Sequence, residues 1–215
     1  MNKLDTTLYL VTNSDGLDEA DFLEIIAEAC KGGVTLLQLR EKERSGREYY
    51  DLAVKVKAVT DAFGVPLIID DRMDIALAVD AAGAHLGKDD LPIAAARAVM
   101  GPRKIVGATA KTVEQATRAE ADGADYLGVG AIYPTTTKVV TALTPVETLN
   151  DIAKSVKIPT VAIGGLNAGN LDVLYGSGAS GIAVVTAIMK SADPKKTSAE
   201  LRHLVERHIR GDIHC

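Results

Sequence analysis

The chain has 215 residues and a formal net charge of −5, and 47% of its residues are hydrophobic and 25% charged. These values are close to globular averages, so they exclude a disordered chain and a fibre, and the length suits one sizeable domain. No apolar run reaches the roughly 18 residues that a membrane-spanning helix needs, and the first residues lack the apolar core of a secretory signal. We therefore expect a cytoplasmic protein with no membrane partner and, given its mildly acidic balance, no nucleic acid partner.

Short β-rich segments alternate with helical stretches along the chain, a pattern typical of βα units around a parallel sheet. Eight strands are predicted, in chain order Leu8–Thr12, Leu36–Arg40, Leu67–Asp70, Ala84–Leu86, Ile105–Ala108, Tyr126–Val129, Thr160–Ile163 and Gly181–Val185. Eight such strands in one domain favour a closed barrel. We therefore predict an α/β fold, a single (β/α)8 TIM barrel over residues 1–215 with a flexible tail at 210–215.

The longest irregular stretch follows the sixth strand, at Ala131–Leu143 (AIYPTTTKVVTAL). A loop of this length inside a compact barrel is usually functional. It should lie at the carboxyl end of the strands, where barrel active sites are assembled. Polar residues that follow the strands are therefore the candidates for a functional site.

Cations and hydroxyls follow several of the predicted strands. Gln38, Arg40 and Lys42 share one side of the extended chain after the second strand, because side chains alternate along a strand. Such a set suits a phosphorylated ligand, although a solvated charged turn would have the same sequence. Further candidates for phosphate binding lie in the long loop and after the last two strands: Thr135, Thr136, Thr137, Lys138, Gly164, Gly165, Val185 and Thr186.

Four carboxylates follow the third and fourth strands, at Asp70-Asp71 and Asp89-Asp90. A hard cation with oxygen ligands would relieve their repulsion, and Mg²⁺ is commonly held by one or two carboxylates together with substrate phosphates. Alternatively, Asp89 or Asp90 caps the helix predicted over Leu91–Met100. Both interpretations remain open from the residues alone.

Other polar residues indicate no site. Cys30 and Cys215 are predicted to be free thiols, because they are poorly arranged for a disulfide or a metal framework. The terminal histidines His203, His208 and His214 are expected to belong to a solvated helix and tail. His85 lies within the fourth strand and is predicted to be a packed, hydrogen-bonded core residue.

Six segments, taken in order, resemble the thiamine phosphate synthase family. They are QLREK at Gln38–Lys42, DDRMDIALA at Asp70–Ala78, AHLGKDDLP at Ala84–Pro92, YLGVGAIYPTTTK at Tyr126–Lys138, AIGGL at Ala162–Leu166 and AVVTAI at Ala183–Ile188. The resemblance implies a (β/α)8 transferase that joins a pyrimidine methyl diphosphate to a thiazole phosphate. Thiamine phosphate and diphosphate would be the products, and Mg²⁺ would be the cofactor.

The resemblance also implies roles for particular residues. Asp71 and Asp90 would bind Mg²⁺, while Arg40, Lys42, Lys138 and Thr109 would act on the reacting groups. The full set implied for substrate binding is Gln38, Leu39, Arg40, Glu41, Lys42, Asp70, Thr109, Thr135, Thr136, Thr137, Lys138, Gly165, Val185 and Thr186. Within it, Thr135, Thr137, Gly165, Val185 and Thr186 would hold the thiazole phosphate.

This chain departs from the family pattern most seriously at Asp70, where Asn is commoner, because the carboxylate adds negative charge beside a diphosphate. Mg²⁺, a cation among Arg40, Lys42 and Arg72, or protonation would have to offset that charge, and we favour the metal. Two alternative functions are a thiazole tautomerase, which would have a histidine shortly after the fifth strand, and a barrel that binds thiamine precursors without catalysis. The sequence carries no signal for an oligomeric state.

Overall fold

The computed structural model describes residues 4–135 and 142–209. Its eight parallel strands close into a barrel in chain order, because β1 pairs with both β2 and β8. The strands are β1 Leu8–Val11, β2 Leu36–Leu39, β3 Leu67–Asp70, β4 Gly83–Leu86, β5 Ile105–Ala110, β6 Tyr126–Gly130, β7 Thr160–Ile163 and β8 Gly181–Val184. The predicted TIM barrel is confirmed, and most predicted strand ends differ by no more than one residue.

Helices follow the strands, with a 3₁₀ turn at Leu171–Leu174 in place of an α-helix directly after β7. The α-helices are α1 Glu19–Lys31, α2 Gly46–Ala62, α3 Met73–Ala78, α4 Ile93–Met100, α5 Val113–Ala121, α6 Val146–Ser155, α7 Thr186–Met189 and α8 Pro194–His208. Local sequence explains where several begin. Ser45 and Glu48 form a reciprocal capping box at the start of α2, which satisfies backbone N–H groups that have no partner inside the helix.

The strands have two buried faces, because alternate side chains point to opposite sides of the barrel wall. Residues such as Leu8 and Leu37 pack outward against the helices. A smaller cluster fills the barrel interior: Tyr9, Val11, Leu36, Ile68, Tyr126, Val161 and Ala183. The interior is therefore a packed core below the carboxyl ends of the strands rather than a channel.

Glycines make room for the largest interior side chains. A Cβ atom placed on Gly107 would lie 2.2 Å from the Tyr126 ring, and one on Gly128 would lie 3.3 Å from the His85 ring. The first distance is far too short for carbon atoms in contact. The ring of Tyr126 thus occupies space that only glycine leaves open on the neighbouring strand.

Two further predictions can be compared with these residues. Cys30 is buried and forms no disulfide, as predicted, whereas Cys215 and the tail at 210–215 lie outside the described residues. Across the described ranges, no helix combines the length and apolar composition that crossing a membrane requires.

Candidate active site

A cavity of about 340 Å³ opens at the carboxyl end of the barrel. Its walls come from loops and strand ends that are distant in sequence but adjacent around the barrel. The structure brings together these predicted residues in its lining: Gln38, Arg40, Lys42, Asp70, Asp71, Asp90, Thr109, Thr135, Gly165, Val185 and Thr186. The predicted residues Thr136, Thr137 and Lys138 lie outside the described residues.

Two of the predicted substrate-binding residues do not line the cavity. Leu39 is fully buried in the outer core. Glu41 accepts hydrogen bonds from the Ser14 hydroxyl at 2.8 Å and from Nε of Arg44 at 3.0 Å. Both alternate with Gln38, Arg40 and Lys42 along the chain, so they face away from the cavity.

Cations offset the charge of Asp70, the residue at which this chain departs from the family pattern. The Asp70 side chain lies 2.8 Å from Nζ of Lys42 and 3.6 Å from Nε of Arg40. Burial raises the Asp70 pKa, the Asp71 carboxylate adds to the rise, and Lys42 and Arg40 oppose it. Arg72, the third cation considered as a partner, instead donates to Asp74 at 2.8 Å.

Asp71 and Asp90 form the second part of this charged cluster. Asp71 has a left-handed backbone, with φ of 58°, and its side chain accepts a hydrogen bond from Lys42. The Asp90 side chain accepts a hydrogen bond of 2.7 Å from the backbone N–H of Gly87. Partial burial raises the Asp90 pKa, and the nearby Asp71 carboxylate raises it further. The two carboxylates therefore share one electrostatic environment.

The structure excludes the alternative in which Asp89 or Asp90 caps the following helix. Helix α4 begins at Ile93 after Pro92, with no side-chain cap, so both aspartates precede its first turn. Asp90 instead bonds within its own turn, and the exposed Asp89 lies 3.1 Å from Nζ of Lys88. Both aspartates line the cavity, and neither caps the helix, so a role at the cavity is the interpretation that remains.

The carboxylates fit a magnesium ion that also binds substrate oxygens. Within the described ranges, no group of three or more His, Cys, Asp or Glu side chains is arranged to hold a metal alone. Mg²⁺ does not require such a cage, because it keeps several water or phosphate ligands beside one or two carboxylates. Asp71 and Asp90, which lie close to each other and to Lys42, would provide that donor set.

A chain of hydrogen bonds links the cavity to the barrel interior. Nε2 of Gln38 donates to the Tyr9 hydroxyl at 2.7 Å, and the Tyr9 and Tyr126 hydroxyls lie 2.7 Å apart. The His85 ring lies between the Tyr126 hydroxyl, 3.1 Å from Nδ1, and the Thr109 hydroxyl, 3.0 Å from Nε2. His85 is hydrogen-bonded as predicted, but it is partly exposed and lines the cavity rather than lying in the core. Burial lowers the His85 pKa to about 4, so the ring is neutral at neutral pH.

Sequence reasoning missed several residues of the lining. Lys111 follows β5 and donates to the backbone oxygen of Ala142 at 3.0 Å. It lies two positions after Thr109, so the same alternation that grouped Gln38 with Arg40 could have identified it. It also occupies the segment after the fifth strand in which the tautomerase pattern has a histidine. His85 and Lys88 line the cavity as well.

Close backbone packing explains the glycine pair after β7. Gly164 and Gly165 have φ values of 104° and 65°, and a Cβ atom on Gly165 would lie 2.6 Å from that of Tyr133. The pair thus allows the loop after β7 to pack directly against the loop after β6. Both loops reach the cavity, where Thr135 and Gly165 contribute to its lining.

Comparison with known proteins identifies one family. A family model described as thiamine monophosphate synthase matches residues 8–188. A Streptococcus pneumoniae protein named thiamine-phosphate synthase 2 is 53% identical over 205 residues, which cover 95% of this chain and 98% of the relative. Thiamine-phosphate synthase of Enterococcus faecalis is 52% identical over 202 residues, 94% of this chain and 95% of the relative.

Solved structures agree with this similarity. Thiamine phosphate pyrophosphorylase from Pyrococcus furiosus matches with a TM-score of 0.86 and 39% identity, over 95% of this chain and 98% of that one. A 3-hexulose-6-phosphate synthase matches with a TM-score of 0.68 but only 18% identity, over 92% and 99% of the two chains. The second match reflects the barrel fold alone, because one barrel architecture supports many chemistries.

Proposed function

Because the chain belongs to the thiamine monophosphate synthase family, we propose that its cavity joins a pyrimidine methyl diphosphate to a thiazole phosphate, giving thiamine phosphate and diphosphate. The observation that carries the proposal is the cluster of Arg40, Lys42, Asp71 and Asp90 at one side of a single cavity. Two cations beside two carboxylates suit a diphosphate that arrives with a divalent cation.

The reaction needs charge stabilisation rather than a protein nucleophile. The bond between the pyrimidine methylene carbon and the diphosphate oxygen breaks, and its electron pair leaves with the diphosphate. The thiazole nitrogen then donates its lone pair to the methylene carbon, which forms the new C–N bond. Arg40 and Lys42 stabilise the growing charge on the leaving group, and the resemblance adds Lys138 to this set.

Mg²⁺ is the proposed cofactor, held by Asp71 and Asp90 together with diphosphate oxygens, where it would stabilise negative charge on the leaving group. Lys42 bonds to Asp71, so a cation of the protein lies beside one of the proposed metal ligands. Holding the two substrates in line is the remaining requirement.

The two substrates should occupy different sides of the cavity. Gln38 and Thr109 lie at the neutral, hydrogen-bonded floor near His85, which suits the uncharged pyrimidine ring. Thr135, Gly165, Val185 and Thr186 come from the segments after β6, β7 and β8. Thr135 and Thr186 would offer hydroxyls and Gly165 and Val185 backbone N–H groups to the thiazole phosphate, with Thr137 added by the resemblance. The thiazole nitrogen would then face the methylene carbon between the two groups.

Diphosphate release tests the proposal. We expect purified protein to release diphosphate and form thiamine phosphate only when the pyrimidine substrate, the thiazole phosphate and Mg²⁺ are all present. Tight binding of both substrates without release would indicate a binding barrel. Isomerisation of the thiazole without condensation would indicate a tautomerase, and either result would overturn the proposal.

A further inference from the structure

Among the described residues, the side-chain hydrogen bonds that run from Gln38 through Tyr9 and Tyr126 to His85 are consistent with one direction. Tyr9 and Tyr126 are 2% and 0% exposed, so each hydroxyl hydrogen needs a partner within the protein. The Gln38 amide nitrogen can only donate to Tyr9, which leaves Tyr126 as the acceptor for the Tyr9 hydrogen at 2.7 Å. Tyr126 therefore accepts from Tyr9 and has its own hydrogen to donate elsewhere.

The direction continues through His85. The Tyr126 hydroxyl lies 3.1 Å from Nδ1 of His85. Because Tyr126 donates its hydrogen to this nitrogen, Nδ1 is the acceptor and carries no hydrogen of its own. A neutral imidazole has one hydrogen, and it must then be on Nε2. Nε2 lies 3.0 Å from the Thr109 hydroxyl oxygen, which becomes the acceptor of this bond. Thr109 is left with its own hydrogen, and it lines the cavity.

We propose that Tyr126 and His85 are positioning residues that fix the Thr109 hydroxyl as a hydrogen-bond donor to the substrate. The substrate group opposite Thr109 must therefore be an acceptor, such as a ring nitrogen or a phosphate oxygen. This inference rests on the proposed function, because it assigns the pyrimidine substrate to the Thr109 side of the cavity. We call the hydrogen bonds that run from Tyr126 through His85 to Thr109 the relay. Without the relay, the Thr109 hydroxyl could rotate its hydrogen toward His85 instead.

The barrel is built around this relay. Gly107 leaves the space that the Tyr126 ring occupies, and the His85 ring packs over Gly128. The rings of Tyr9 and Tyr126 meet edge to face, with centroids 5.7 Å apart, a favourable aromatic geometry. These contacts hold each hydroxyl in place, so the direction of the bonds does not depend on a bound substrate.

Nitrogen NMR of the labelled full-length protein tests the relay without substrate. The two ring nitrogens of a neutral histidine have different shifts, and a His85→Gln variant identifies the His85 signals. We expect the parent to have its hydrogen on Nε2. Tyr126→Phe should shift the tautomer toward Nδ1, whereas the matched Tyr9→Phe variant, which also removes one buried hydroxyl, should keep it. A parent with its hydrogen on Nδ1, or the same tautomer in both variants, would overturn the proposal.

Kinetics test the consequence for the substrate. Tyr126→Phe and Thr109→Val should each raise KM for the pyrimidine substrate about tenfold, the usual effect of losing one hydrogen bond, with little change in KM for the thiazole phosphate. If both act through the Thr109 hydrogen, the double variant should be no worse than Thr109→Val. Additive losses would overturn the positioning role. An inactive parent would overturn the proposed function alone, because the NMR comparison needs no turnover.

Discussion

Replacing Asp70 with Asn isolates the effect of one carboxylate in the charged cluster. In the structure Asp70 is paired with Lys42 and Arg40, the two cations that are proposed to bind the diphosphate. Its carboxylate therefore competes with the substrate for the same partners. We expect Asp70→Asn to stay active, to bind the pyrimidine diphosphate more tightly and to need no more Mg²⁺ than the parent at saturating substrate.

The size of the effect follows from the distances. Asp70 lies 2.8 Å from Nζ of Lys42, and a phosphate oxygen in contact with the same ammonium would lie about 5 Å from that carboxylate, where the repulsion is roughly 1 kcal/mol in water and roughly 3 kcal/mol at an effective dielectric constant near 20. The Asp70 side chain is only 10% exposed and that of Lys42 is 41% exposed, so the repulsion should lie between these two values. Because one kcal/mol corresponds to about fivefold, KM should decrease by at least about fivefold.

Steady-state diphosphate release over a range of substrate and Mg²⁺ concentrations measures both quantities. Asp74→Asn is the matched control, because it makes the same charge change at an exposed ion pair with Arg72 that does not line the cavity. The control should leave KM unchanged. An inactive Asp70→Asn enzyme that is rescued only by excess Mg²⁺ would refute the reasoning, since it would make Asp70 an essential metal ligand.

The remaining predictions concern other parts of the site and the core. Arg40→Ala should keep its fold, and its turnover should fall by about 10²–10³, the usual cost of one preorganised contact to developing charge. Arg44→Ala, which changes a residue outside the cavity, should keep its turnover. Equal turnover in the two variants would remove Arg40 from the mechanism. Asp71→Ala should raise the Mg²⁺ concentration for half-maximal activity more than Asp89→Ala does, and the reverse order would move the metal site. Gly107→Ala should lower the free energy of unfolding by about 1–3 kcal/mol through overpacking, and an unchanged denaturant midpoint would contradict the packing described.

Acidity supplies a further prediction for Asp70. Burial raises its pKa in the folded protein, so the native state retains this proton at pH values where the unfolded chain has released it. The contribution of Asp70 to the free energy of unfolding is therefore complete below the pKa of the unfolded chain, and it is lost as pH rises through the pKa of the folded protein. The parent should therefore lose stability relative to Asp70→Asn as pH rises above about 4, the unfolded pKa of an aspartate, as denaturant unfolding would measure. An unchanged difference would contradict this assignment.

The barrel could be predicted from the sequence because each strand is a short apolar segment with a clear boundary. The eight predicted strands from Leu8 to Val185 correspond to the observed strands, and only the ends vary. The helix after the fourth strand was harder to place. Asp89 and Asp90 have the residue type of a helix cap, but Pro92 begins the helix later and the Asp90 side chain bonds to Gly87 instead.

Cavity residues could be predicted from the sequence where side chains alternate along one strand. Contacts between residues far apart in the sequence could not be predicted in this way. Gln38, Arg40 and Lys42 share one face by spacing alone, and that reasoning excludes Leu39 and Glu41. The link from Tyr9 to Tyr126 joins residues 117 positions apart. No local pattern reveals it, because only closure of the barrel brings the first and sixth strands to the same interior.

Lys42 and its neighbouring carboxylates act as counterions for each other in the site. Before any ligand arrives, this ammonium already contacts Asp70 and Asp71. A diphosphate that takes Lys42 as its partner would release Asp71, and a divalent cation that takes Asp71 would release Lys42. Each ion thus removes a competitor of the other, so anion and cation should bind with positive coupling, and by linkage the coupling is equal in both directions.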